Sequence, residues 1–154
     1  MALKPPLTII TRLDTLRALR ELEDFENGMS ESKVRGHHLP SLTPLLNDIA
    51  EENSIDPHKK EARILIRHML EDLRTKSPVV HISFAVEPDS KVMTIIARWF
   101  RDEIAPNIVL SVGIQPSIGV GCVVRTTNKY FDFSLRKHLM ANSDLFKKQL
   151  EGIV

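Results

Sequence analysis

What the sequence lacks narrows it first. Its single cysteine, Cys122, stands in the apolar run "CVVR", so no disulfide can close within the chain and a reducing compartment is expected. Neither sign of charge dominates. Lysines and arginines number 21 against 20 aspartates and glutamates, which gives no overall pull towards nucleic acid or an anionic membrane. No segment approaches the roughly 18 uninterrupted apolar residues of a membrane span. The opening "MALKPPLTIITR" has no long apolar core followed by a small-residue cleavage site, so no leader is expected.

Chemical signatures are equally sparse. His37 and His38 adjoin, while His58, His68, His81 and His138 are scattered. No pair falls four apart on a helix and no Cys-x-x-Cys occurs, so surface or cap histidines are expected rather than zinc ligands. "GVG" at 119–121 lacks the third glycine of a dinucleotide loop and precedes a strand rather than a helix. Its reading is a turn or bulge between antiparallel strands, shaped by Pro116, Gly119 and Gly121. Cys122 as a nucleophile, with His81 or His138 as its base, is opposed by its apolar flanks, which suit a small buried filler. No catalytic residue, cofactor or metal is assigned.

Against those absences, 42% of the 154 residues are hydrophobic and 27% charged, the composition of an ordinary globular chain. The first half, 1–76, reads as helical. Leu16, Leu19, Leu22 and Phe25 recur over 14–26 as an amphipathic helix. "NGMSESKVRGHH" at 27–38 is charged, glycine-bearing and aperiodic, which predicts a connection. Thr43 caps the next helix with Pro44 at its first position and Leu42, Leu45, Leu46, Ile49 and Ala50 on one face. Asp56 and Pro57 repeat the device before a third helix that buries Ala62, Leu65, Ile66, Met69, Leu70 and Leu73.

The second half, 77–154, changes period. Val80, Ile82, Phe84 and Val86 alternate inward along a strand closed by Pro88. A helix capped by Asp89 or Ser90 follows, with Met93, Ile96, Ala97, Phe100 and Ile104 on one stripe and Val92, Ile95 and Trp99 beside it. Covering a sheet needs only one stripe, so the second is expected to meet the N-terminal helices or another protein. "NIVLSVGI", "GVGCVVR" and "KYFDF" read as strands, the last two joined by "TTNK" with Asn128 suited to positive φ. A final helix over 134–150 carries Leu135, Leu139, Phe146 and Leu150, with Asp132 or Ser134 accepting from its first amides and Arg136 reaching back to Asp132. The fold class expected is α+β: N-terminal helices, then a small β-α-β-β-β-α domain whose first crossover is parallel and whose later hairpins are antiparallel.

Pro116, Ser117, Gly121, then Val123, Val124 and Arg125, then Asp132, Ser134, Arg136 and Leu139, occur in an order and spacing that resembles the C-terminal region of the delta subunit of F-type ATP synthases, the family of the oligomycin-sensitivity-conferring protein. The resemblance covers about 79–150. The family usually carries an acidic residue where Gln115 stands, has paired glycines where this chain has Gly-Val-Gly, and has an N-terminal helical bundle larger than 1–76. The resemblance implies a non-catalytic stator subunit joining the catalytic head, its α and β subunits, to the b subunit of the peripheral stalk. It also implies a place at the cytoplasmic face of the plasma membrane, held there through partners. Trp99 and Phe146 are then candidate interface residues. The alternative is a small RNA-binding α+β module with Arg98, Arg101, Arg125, Arg136, Lys137, Lys147 and Lys148 as a basic face and Tyr130, Phe131 and Phe133 as stacking rings. A V-type ATPase E subunit would call for a long N-terminal coiled coil, which the prolines and loops before residue 75 oppose.

Overall fold

A computed structural model describes residues 3–36, 38–135 and 140 of the chain. Helix α1 spans Arg12–Arg35. Its start is a capping box: the Asp14 amide donates to Thr11 Oγ1 at 3.2 Å, and the Thr11 amide donates to Asp14 Oδ2 at 2.8 Å, satisfying amides that a helix start leaves without intrahelical partners. The connection expected at 27–38 is mostly helix. Ala18, Leu22, Phe25 and Met29 are buried at spacings of four, three and four, so the apolar face runs past Asn27. The helix ends only at Gly36, whose φ of 66° suits a left-handed cap. Leu16, placed on that face by its three-residue repeat, is exposed, because a step of three drifts off a 3.6-residue turn.

Helix α2, Pro44–Asn53, is capped by Thr43 with Pro44 in its first turn and buries Leu46, Ile49 and Ala50, as expected. Helix α3 covers Lys60–Thr75. Asp56 does not cap it. Its carboxylate accepts from the His58 amide at 3.0 Å, an Asx turn that delays the helix to Lys60. Five of the six apolar residues predicted for α3 are buried, whereas Leu65 is 42% exposed and Arg63 takes a buried position. The residues from these helices, with Ile9 and Val109, form one apolar core.

Strand β1 is Val79–Phe84, α4 is Ser90–Glu103, β2 is Val109–Ile114, β3 is Cys122–Arg125 and β4 is Tyr130–Asp132. They form a mixed sheet in the order β2-β1-β3-β4, and the α+β class is observed. β3 pairs antiparallel with both β1 and β4. β2 and β3 are therefore not the hairpin predicted from the glycines of 115–121: β1 lies between them, and that stretch, with a 3-10 turn at Pro116–Ile118, is a crossing connection. Val86 lies beyond the end of β1 and is exposed, as is Ile104. Asn128 does not take positive φ. The β3–β4 turn is closed by the Thr126 amide donating to the Lys129 carbonyl at 2.9 Å.

Contacts group the chain as Met1–Pro78 with Ser90–Leu110, and Val79–Asp89 with Ser111–Val154. Helix α4 thus clusters with the N-terminal helices, whereas a boundary after residue 76 had assigned it to the second half. Among the described residues no helix is long and apolar enough to cross a membrane.

Candidate interaction surface

Among the resembling residues, Gly121, Asp132 and Ser134 meet at one junction in the second unit. Gly121 has φ 99°. A Cβ there would overlap the Phe133 carbonyl oxygen, well inside van der Waals contact distance, and lie 3.1 Å from Ser134 Cα, so only glycine lets the start of β3 lie against the end of β4. The two segments are then tied by the Phe133 amide donating to Cys122 O and the Leu135 amide to Val120 O, both at 2.9 Å. Asp132 Oδ1 accepts from the Ser134 amide at 2.8 Å, and Ser134 is buried. Asp132 therefore acts within the junction. Leu135 is helical, while Arg136, Leu139, Phe146 and Leu150 lie outside the described residues.

Pro116 opens the 3-10 turn, where Gln115 Nε2 donates to Ser117 Oγ at 3.1 Å and Ile118 is buried. Gly119 takes φ 76° at the end of that turn. Between this turn and the β3–β4 junction lies a groove of about 410 Å³, lined among others by Gln115, Ile118, Val123, Tyr130 and Asp132. On one sheet face His81, Arg125 and Tyr130 form a row across three strands, with the Arg125 guanidinium 5.8 Å from the Tyr130 ring centre. Phe131 and Phe133 stack at 6.2 Å and are exposed.

In the first unit, Trp99 is 55% exposed and lies edge-on to Phe100 at 5.0 Å, while Phe100 is buried. Phe100 is thus a core residue, and Trp99 continues the exposed stripe with Val92 and Ile95.

Neither arrangement contains an evident reaction centre. Cys122 stands opposite Phe84 in the ladder, and His81 stands opposite Arg125, so strand register does not pair thiol with imidazole. Burial raises the Cys122 pKa above that of a free thiol, which disfavours the thiolate a nucleophile needs. His138 lies outside the described residues. Among the described residues, no cluster of three or more metal-ligating side chains is found.

Two arginines with structural roles escaped the sequence reading. Arg101 of α4 donates through Nη1 to Pro5 O at 3.0 Å and Pro6 O at 2.9 Å, and through Nη2 to Ile9 O. Burial lowers its pKa from the usual arginine value, opposed by the charge of Glu52. Arg63 donates through Nη1 to Pro57 O and His58 O, both at 2.9 Å, and its Nε lies 3.5 Å from Glu26. Arg67 also reaches Glu26, joining α3 to α1. For Arg63 the available signal was its place among the apolar positions of α3, shortly after Pro57; for Arg101, whose partners lie at the far end of the sequence, the sequence offered none. No protein-family model matches the chain, and no curated protein matches it.

Proposed function

We propose that the chain is a non-catalytic connector, the stator or peripheral-stalk subunit of an F-type ATP synthase, linking the catalytic head to the membrane-anchored stalk during proton-driven ATP synthesis. The single observation that carries this reading is the junction at Gly121. Of the residues of the resemblance, Gly121, Asp132 and Ser134 meet where the start of β3 is tied to the end of β4, while Pro116 opens the preceding 3-10 turn and Val123, Val124 and Arg125 form β3. A part that resists torque needs such fixed backbone geometry rather than a reaction centre. The exposed stripe of Val92, Ile95 and Trp99 supports the reading as apolar area for a partner, since aromatic side chains dominate contact energetics. The partners proposed are the α and β subunits and the stalk b subunit, with membrane association only through them.

Affinity purification of the tagged chain from its native cell, followed by identification of bound subunits, tests this. Recovery of α, β and b subunits supports the connector role, and their absence from a folded bait sinks it. A second reading, a small RNA-binding module, is favoured by the exposed Arg125–Tyr130 pair and the stacked Phe131 and Phe133. It predicts RNA affinity that falls steeply with salt.

A further inference from the structure

Among the described residues β2 is an edge strand, and part of its outer edge is open. The Val109 amide donates to Pro78 O at 3.1 Å and the Gln115 amide to Phe84 O at 2.7 Å, so the odd-numbered residues along this stretch turn their amides towards β1. By the period of two, Leu110, Val112 and Ile114 turn theirs outward. Leu110 uses its amide: it donates to Ile10 O at 2.9 Å, beside an isolated parallel bridge to Thr11. The chain then enters α1 and that pairing stops. Among the described residues, no hydrogen bond outside the ladder reaches the backbone of Val112 or Ile114. Their side chains, 37% and 53% exposed, share one face of the strand.

Folded proteins guard such edges with charge, proline, a bulge or a covering segment. "VLSVGI" carries neither charge nor proline, and the bridge at Leu110 covers only its beginning. We propose that the open part of this edge pairs with the same edge of a second copy, antiparallel about a two-fold axis at Gly113.

The strand itself specifies that occupant. Its two outward residues are symmetric about Gly113, so Val112 of each copy meets Ile114 of the other as a hydrogen-bonded pair exchanging both N–H···O bonds. The glycines meet on the axis, where no side chain stands between the strands. Valine opposite isoleucine is a favourable cross-strand combination, and no charge meets its like across the axis. The ladder also ends by itself. Leu110 has already used its amide, and Pro116 at the other end has none. Pairing is therefore isologous and closed, giving a dimer rather than a filament. Its short length makes the association weak and concentration-dependent. This inference is independent of the stator reading.

Sedimentation equilibrium of the full chain, in a series reaching about 1 mM, tests it beside Ile114→Lys and Val112→Pro. The lysine places a charge on the edge. The proline removes an outward amide that the single copy does not use, a position where strands tolerate proline. The wild type is expected to shift from monomer towards dimer across the series, and both variants to weaken that association at least tenfold with unchanged circular dichroism. A wild type that stays monomeric to the top of the series overturns the proposal, as do folded variants that dimerise like the wild type. Should a variant lose its native spectrum, amide exchange in the wild type decides. Slower exchange at Val112 and Ile114 with rising concentration supports the pairing, and exchange independent of concentration overturns it.

Discussion

Gly121 shows how a single residue can hold a junction. Its φ lies where side-chain-bearing residues are strained, and the Phe133 carbonyl fills the space a Cβ needs. Gly121→Ala should therefore lose at least about 3 kcal/mol in denaturant unfolding, through backbone strain plus displacement of the β4 end; a loss under 1 kcal/mol would show that the junction yields. Cys122 offers a test of sign. Burial raises its folded pKa, so its contribution to stability is fully present below the unfolded pKa and is lost as pH rises through the folded one. Thiolate absorbance should accordingly appear at higher pH in the native chain than in the denatured chain. Coincident titrations would mean that the thiol is freely solvated.

Among the elements, α1 was half legible. Thr11 and Asp14 form a capping box, and Thr11→Ala should lower stability by about 1–2 kcal/mol, read as a shift in the urea midpoint without a change in slope. The second half of the helix was hidden because Gly28, Ser30 and Ser32 resemble a loop when local propensity alone is weighed. Burial of Phe25 and Met29 outweighs that propensity. Helix α4 carries a second lesson. Arg101 reads as a solvated charge in sequence, yet it serves three carbonyls of the N-terminal segment. Arg101→Met keeps the apolar stem and removes the donors, and should cost roughly 2–3 kcal/mol with faster proteolysis near Pro5 and Pro6. Unchanged protection there would mean that Ile9 and the bridge at Leu110 hold the segment without it.

For the whole molecule, the consequence of the proposed role is that apolar surface left open on α4 is covered in an assembly. Trp99→Asp changes an exposed side chain and should leave the thermal midpoint within a few degrees while reducing recovery of partner subunits at least tenfold. Undiminished recovery would remove Trp99 from the contact. The same contrast separates interface from core, since Phe100→Asp, one residue on but buried, should unfold the chain.

The sequence by itself determined the α+β class, the order of the elements among the described residues, the Thr43-Pro44 helix start and most of the buried face of α3, because each depends on periodicity and capping chemistry within a few residues. Tertiary structure decided the rest. Which strands are neighbours, with β1 lying between β2 and β3, depends on pairings distant in sequence, and the glycines of 115–121 look the same in a hairpin as in a crossing connection. The role of Gly121 depends on a carbonyl twelve residues away. That of Arg101 depends on prolines near the other end of the sequence. Local chemistry sets where an element begins and which face is apolar; only the folded chain sets what that face, or a lone cation, meets.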